Sequence, residues 1–98
     1  MRLYGMFDRE ARQVINIFAS VNDDTAKRSF LSLLSSPTES IYSNYPQHFS
    51  LYSFGEISVD EKLSVPTFSS SDITCIVDTV NLSEIESFRS VLRERYSN

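Results

Sequence analysis

The chain of 98 residues has few of the residue types from which catalytic and metal sites are usually built. It contains one cysteine, one histidine and two glycines. A single cysteine excludes an intrachain disulfide, and with one histidine it cannot form a zinc site. Two isolated glycines exclude a glycine-rich phosphate loop. The paired carboxylates fall in expected turns and helix starts, so the sequence predicts a non-enzymatic protein with no cofactor.

Long hydrophobic runs and a surplus of basic residues are also lacking. No apolar stretch approaches the roughly 20 residues that a membrane helix needs, and the residues after Met1 lack the apolar segment of a signal peptide. We therefore expect no membrane contact and a cytoplasmic location. The net charge of −4 argues against strong nucleic-acid binding, although weak or local contact with DNA stays open.

The lone cysteine and the lone histidine each have a structural and a reactive interpretation. Cys75, between Thr74 and Ile76, is typical of a buried small apolar residue, and a reactive thiol would need a nearby base or cation. His48 follows Pro46 in an aromatic segment without a nucleophile motif. This setting favours a structural role for His48, so neither residue predicts a catalytic site.

The segment richest in aromatic residues predicts the central strand of the fold. Side chains alternate between two faces from Phe49 to about Val59, as they do on a strand. Gly55 indicates a bulge or a close backbone approach. The turn Asp60–Glu61 is expected to lead into a short partner strand, Lys62–Val65. One face carries Phe49, Leu51 and Ser53, and the other carries Ser50, Tyr52 and Phe54.

Other strands are predicted where β-branched and bulky residues are concentrated. These strands are Arg2–Phe7, Gln13–Phe18 and Ile73–Val77. The first two are expected to pair as a hairpin. Pro66–Asp72 is interpreted as a polar link, and Ser36–His48 as a packed loop with room for one helical turn at Thr38–Tyr42.

A first helix is predicted to begin at Asn22 and to run to about Ser35, because short polar and acidic residues favour a helix start. Lys27 and Arg28 fall on or near its solvent side. This basic pair has two interpretations, a solvated helix face or a phosphate contact. The apolar face of the helix consists of Ala26, Phe30, Leu33 and Leu34.

A second helix is predicted at the C-terminal end, from about Ser83 to Arg95. Ser83 and Glu86 have the spacing of a capping box. The helix has an apolar stripe that consists of Ile85, Phe88, Val91, Leu92 and Tyr96. This stripe can pack on the sheet, or it can dock a partner or a second copy of the chain.

These elements predict an α+β fold in a single domain, residues 1–98. We expect a mostly antiparallel sheet of four or five strands with two helices packed on one face. The order of the strands does not follow from the sequence.

Three segments, taken in order, carry a resemblance to a known family. The first is Tyr4-Gly5-Met6-Phe7-Asp8-Arg9-Glu10-Ala11. The second places an Ala-x-Arg-x-Phe pattern, Ala26 to Phe30, after an Asn-Asp helix start. The third is Pro-x-x-Phe-x-Leu-Tyr-x-x-Gly-Glu, from Pro46 to Glu56. This ordered set resembles the small non-structural protein of gokushoviruses, which are single-stranded DNA microviruses of bacteria.

The resemblance implies a phage non-structural protein in the cytoplasm of a host bacterium, where it assists viral DNA replication or single-stranded DNA synthesis. It implies no catalytic residues. It covers about Leu3 to Val80, so residues 1–80 are expected to form a family-like core and residues 81–98 an added amphipathic helix.

Two mechanisms are consistent with this resemblance. The protein can contact single-stranded DNA, because bases stack on exposed aromatic rings while basic groups bind phosphates. The candidate residues are Lys27, Arg28, Tyr42, Tyr45, Tyr52, Phe54 and Lys62. Alternatively, it binds a phage or host replication protein, or itself through the C-terminal helix. A basic strip with aromatic residues would favour DNA, and an exposed apolar patch or a shared helix would favour a protein partner.

Overall fold

In the computed structural model, residues 1–96 are described, with side chains described for residues 1–70 and 73–91. These residues form four strands, three α-helices and one 3₁₀ turn, Pro46–His48. The strands are β1 (Arg2–Asp8), β2 (Gln13–Ser20), β3 (Phe49–Asp60) and β4 (Val65–Val77). The helices are α1 (Asp23–Leu34), α2 (Ile41–Asn44) and α3 (Leu82–Tyr96).

The sheet has the order β2-β1-β3-β4, and all neighbouring strands are antiparallel. Each hairpin, β1–β2 and β3–β4, is local in sequence, and the β1–β3 pairing joins the two hairpins side by side. The predicted α+β fold with a mostly antiparallel sheet is therefore confirmed, with four strands in the described chain.

Helices α1 and α3 contribute to one core on a single face of the sheet. Asn22 caps α1, because its Oδ1 accepts a hydrogen bond from the Thr25 amide at 2.8 Å. Buried side chains of α1 then meet those of β1 and β3, and Ile85 of α3 joins them. The buried apolar core consists of Tyr4, Met6, Ala26, Phe30, Leu34, Phe49, Leu51, Val80 and Ile85.

The predicted partner strand of β3 was wrong in its position. Lys62 and Leu63 lie in the turn, because Oδ1 of Asp60 accepts hydrogen bonds from their amides at 2.9 and 3.1 Å. Ser64 completes the turn with a positive φ of 55°, and the strand begins at Val65.

The interpretation of Pro66–Asp72 as a polar link was also wrong, because these residues belong to β4. β4 is an edge strand, and a proline is tolerated there because one side of the strand has no ladder partner. Residues 65–70 are exposed, so a serine-rich sequence suits the strand. The segment has few apolar residues, so its composition did not predict a strand.

The distal part of the β3–β4 hairpin extends beyond the rest of the sheet as a two-stranded ribbon. β1 pairs with β3 only as far as Glu56, whereas β3 and β4 remain paired from there to Asp60 and Val65. The molecule measures 50 × 34 × 18 Å, and its radius of gyration is 15.4 Å. A compact domain of this length has a radius of gyration of about 13 Å, so the extended ribbon gives the molecule an elongated shape.

Gly55 occupies the close approach that its position in the sequence indicated. Its φ is +154°, and the pairing of β3 with β4 shifts register between Ser53 and Gly55. A Cβ atom at Gly55 would lie 2.4 Å from the carbonyl oxygen of Ser69. The sheet therefore requires a glycine at this point.

The helical turn in the loop after α1 lies further along the chain than predicted. It spans Ile41–Asn44 rather than Thr38–Tyr42. Ser40 sets this start, because its Oγ accepts a hydrogen bond from the Ser43 amide at 3.2 Å, and Ser43 in turn accepts one from the Ser40 amide.

The cap of α3 is Asn81, which corrects the prediction of a capping box at Ser83. Oδ1 of Asn81 accepts hydrogen bonds from the Ser83 amide at 2.9 Å and from the Ser83 hydroxyl at 2.8 Å. Ser83 itself lies inside the helix. Asn81 caps the free amides of the first turn from a position two residues before Ser83. Of the predicted apolar stripe, Leu92 and Tyr96 lie outside the described side chains.

Cys75 is exposed, so the expectation of a buried small residue was wrong. It lies on edge strand β4 opposite Tyr52 of β3. Its β-branched neighbours indicated a strand, but they could not show that the strand lies at an edge with its side chains partly in solvent.

Candidate interaction surface

One face of the sheet is covered by helices, and no helix of the described chain covers the opposite face. We call this open side the outer face. Residues of β1, β2 and β3 that alternate with the buried ones form it, because successive side chains of a strand point to opposite sides. Val14 is 50% exposed and Ile17 is 60% exposed, and the other members are partly exposed. The outer face consists of Leu3, Phe7, Val14, Ile17, Tyr52 and Phe54.

Two aromatic contacts hold the centre of the outer face together. The rings of Phe7 and Tyr52 meet edge to face, with centroids 6.1 Å apart and planes at 89°. The ring of Phe54 lies over Gly5, where a Cβ atom would be only 2.3 Å from Cε2 of Phe54. The missing side chain of Gly5 therefore leaves room for the ring of Phe54 on the neighbouring strand.

The outer face is uncharged, since none of its six side chains ionises near neutral pH. Burial raises the pKa of Tyr52, and the neighbouring Cys75 adds to that effect. The phenol of Tyr52 is thus neutral over a wider pH range than an exposed tyrosine. The surface offers apolar and aromatic contacts and a phenol that can donate a hydrogen bond.

The basic candidates do not lie beside the outer-face aromatic residues. Lys27 and Arg28 are exposed on α1, which packs on the opposite side of the sheet from Tyr52 and Phe54. Lys62 lies in the turn at the tip of the β3–β4 ribbon. The structure brings Tyr52 and Phe54 together on the outer face but places the three basic residues elsewhere.

The other two aromatic candidates belong to the helical layer. The ring of Tyr42 packs against that of Phe49, 5.3 Å between centroids, and is partly buried against the core. Tyr45 is 52% exposed and stacks on His48, with centroids 5.2 Å apart and planes at 9°. His48 thus packs against an aromatic ring, and Tyr45 is the more accessible of the two candidate tyrosines.

Arg9 lies beside His48, because its backbone amide donates to the His48 carbonyl at 2.9 Å. Backbone and side-chain oxygens accept hydrogen bonds from its guanidinium. It donates to the carbonyl of Asp78 at 2.6 Å, and also to the hydroxyl of Thr79 and the carbonyl of Gln47. These bonds tie the end of β1 to the segments that precede β3 and follow β4. We infer a structural role for Arg9, because both terminal nitrogens of its guanidinium already donate hydrogen bonds within the chain.

A second polar network joins β1 to the start of α1. The hydroxyl of Tyr4 donates to Oδ1 of Asp23 at 2.6 Å, and Arg2 lies 3.8 Å from the same carboxylate. Burial, then the hydrogen bond to Asp23 and its charge, raise the pKa of Tyr4 to about 12. The network fixes α1 on the inner face of the sheet.

Within residues 1–70 and 73–91, no group of three or more histidine, cysteine or acidic side chains is arranged to hold a metal ion. In the described part of the chain, no helix combines the length and the apolar character required to cross a bilayer.

Comparison with known proteins places the chain in a phage family. Residues 1–78 match the family model described as Phage ORF5 protein. The chain belongs to this family. No curated protein and no solved structure gives a significant match. The predicted phage origin is therefore confirmed, whereas the narrower gokushovirus resemblance stays a prediction.

The matched region of this phage protein ends at Asp78, directly after β4. Helix α3 lies beyond it, yet Ile85 of that helix is buried in the common core. The division into residues 1–80 and 81–98 thus stays a prediction about the family, and the described helix packs as part of the same fold.

Sequence reasoning missed four members of the outer face: Leu3, Phe7, Val14 and Ile17. The alternation of β1 offered a signal, because Leu3, Gly5 and Phe7 share one side of the strand. Within the sheet, the aromatic density of β3 limited the predicted site residues to that strand. Only the strand order shows that residues of β1 and β2 extend the same surface.

Proposed function

We propose that this phage protein is a non-enzymatic accessory factor of viral DNA replication in the host cytoplasm, and that it acts by binding a phage or host replication protein. The observation that carries the proposal is the outer face, an open and uncharged surface of apolar and aromatic side chains. Exposed apolar patches of this kind are characteristic of protein-binding sites.

The arrangement of charge supports a protein partner over nucleic acid. Single-stranded DNA binding combines stacking rings with a basic groove, and here the basic candidates lie away from Tyr52 and Phe54. The net charge of −4 favours a partner with a basic surface. Proteins that handle DNA carry such surfaces, which fits a replication protein.

Aromatic residues give the outer face the composition of an interface centre. Binding energy concentrates in a few residues, with tyrosine strongly represented among them. Tyr52 combines an apolar ring with a hydroxyl that remains protonated at neutral pH. We therefore expect Tyr52 and Phe54 to dominate the contact.

The test is pairwise binding between the purified protein and each replication protein of its phage and host. Tyr52→Lys places a charge at the centre of the outer face and is expected to weaken binding by at least about tenfold. Ile41→Lys is the matched control, because Ile41 is 57% exposed on α2 in the helical layer. Circular dichroism verifies that both variants are folded.

Two results would contradict the proposal. One is equal affinity of Tyr52→Lys and the wild type for a replication protein that binds. The other is the absence of binding to every replication protein tested at micromolar concentrations.

Single-stranded DNA is the second candidate partner, and the ring-bearing outer face is the observation that favours it. Phe7, Tyr52 and Phe54 lie on adjacent central strands, and bases stack on such rings with about 1–3 kcal/mol each. Fluorescence anisotropy of a labelled oligonucleotide at low and moderate salt tests this function. Binding that weakens with salt and is lost in Tyr52→Ala would favour DNA, and no binding at low salt would exclude direct contact.

A further inference from the structure

The two edges of the sheet differ in their protection against pairing with another chain. β4 has Pro66, which cannot donate a backbone hydrogen bond, and its pairing with β3 shifts register twice. Prolines and irregularities of this kind blunt an edge. β2 has eight residues, Gln13–Ser20, with no charge and no proline. Within the described residues, the register shift between Met6 and Phe7 is the only such irregularity on this edge.

The edge of β2 is also accessible. Within the described residues, β2 pairs with β1 alone, so its other side has no strand partner. Most of its side chains are exposed, including Val14 and Ile17. An unprotected apolar edge strand is a template for pairing with a further strand.

Opposite charges flank the two ends of β2, which favours a second copy of β2 as the partner strand. Arg12 immediately precedes β2, and Asp23 and Asp24 follow shortly after it; all three are exposed. In an antiparallel pair, the start of one strand lies beside the end of the other. If β2 pairs with β2 of a second copy, Arg12 of each chain approaches the acidic segment of the other at both ends. Asp23 already binds Tyr4 and Arg2 of its own chain, so Asp24 is the partner we expect for Arg12. The edge is therefore complementary to itself, as a two-fold interface requires.

We propose that two copies of this chain pair through β2, antiparallel, to join their four-stranded sheets into one. Opposite residues must share a face, and Ile17 is the outer-face residue near the middle of the strand. The two-fold axis therefore passes beside Ile17, which faces its equivalent in the partner. In this register Asn16 faces Phe18 of the partner. The bulge at Ile15 ends the regular pairing there, so Arg12 lies near the partner's Asn22–Asp24 segment without a fixed opposite residue. The two outer faces become one continuous surface, and this pairing does not depend on the proposed replication role.

Analytical ultracentrifugation of the full chain over a dilution series tests the dimer. The wild type is expected to be dimeric at micromolar concentrations. Ile17→Lys should raise the dissociation constant by at least about tenfold, because it sets like charges directly opposite each other. Ile41→Lys adds the same charge on α2, away from the edge, and should leave the dimer unchanged. A monomeric wild type, or a dimer that persists in Ile17→Lys, would overturn the proposal.

Disulfide cross-linking tests the register and remains informative if Ile17→Lys does not fold. Cys75→Ser first removes the exposed native thiol. In that background, Ile17→Cys should form a covalent dimer under mild oxidation, because opposite Cβ atoms lie about 4.5–5.5 Å apart. Ile41→Cys is the exposed control. Equal cross-linking of the two variants would contradict pairing at Ile17.

Discussion

The inner and outer faces of the sheet are built from the same strands but have different surroundings. On the inner face, Tyr4, Met6 and Leu51 are almost completely buried beneath α1 and its neighbours. On the outer face, Val14 and Ile17 remain half exposed or more, although they are as apolar as the residues of the core. Apolar character alone therefore does not determine which face is the core. The core lies on the face against which α1 and α3 pack, so the position of these helices determines which apolar residues are buried.

The largest loss of stability is expected from a substitution on the inner face. Phe30→Ala removes a ring buried between α1 and the sheet and should lower the free energy of unfolding by about 3–5 kcal/mol. Phe68→Ala is the matched control, because Phe68 is 53% exposed on the ribbon. Its effect should stay near or below about 1 kcal/mol. Urea unfolding measures both variants, and similar losses would contradict the assignment of the core to the inner face.

A smaller loss of stability is expected from a substitution on β1 at Gly5, where the ring of Phe54 lies against the strand. Gly5→Ala places a methyl group against the ring of Phe54, which must move, so we expect a loss of about 1–3 kcal/mol. The double variant Gly5→Ala/Phe54→Ala should lose less than the sum of the single changes, because the clash disappears. Urea unfolding of all four proteins gives the coupling energy. Strict additivity would show that Phe54 does not lie over Gly5.

The smallest expected effect concerns the polar link from the inner face to α1. Tyr4→Phe removes the hydrogen bond to Asp23 and should cost about 1 kcal/mol at neutral pH. The pKa of Tyr4 is raised to about 12, above its value of about 10 in the unfolded chain. The stabilisation is therefore complete below pH about 10 and is lost as the pH rises through about 12.

Urea unfolding of wild type and Tyr4→Phe at several alkaline pH values checks this prediction. The difference in stability between the two proteins should shrink as the pH rises through that range. Tyr52 ionises in both proteins, so its contribution cancels in the difference. A difference in stability that is independent of pH would contradict the raised pKa of Tyr4.

Local patterns predicted most of the elements. The helix start at Asn22 and the apolar face of α1 followed from capping chemistry and helical spacing, and alternation located β3. Local patterns misplaced element boundaries where a polar side chain accepts hydrogen bonds from nearby backbone amides. Asp60 accepts hydrogen bonds from the amides of Lys62 and Leu63, which places both residues in the turn. Asn81 rather than Ser83 caps α3. The serine-rich half of β4 could not be found from its composition, because its strand state depends on pairing with β3.

The candidate surface was predicted only in part. Tyr52 and Phe54 were identified because they share a side of one strand. Their separation from Lys27, Arg28 and Lys62 depends on the side of the sheet that α1 covers and on the length of the β3–β4 ribbon. Tyr42 is partly buried because its ring contacts that of Phe49, a contact between residues of different elements that local patterns do not show.

The sequence by itself determined the elements and the chemical limits of this phage protein. Residue periodicity and capping are local, so they specify strands and helices without a tertiary partner. Composition is also independent of the fold, so the acidic balance and the scarcity of cysteine, histidine and glycine follow directly. The tertiary structure alone decided the strand order, the covered face and the accessible edge. These depend on contacts between distant residues, such as Tyr4 with Asp23 and Gly5 with Phe54, which local patterns do not encode.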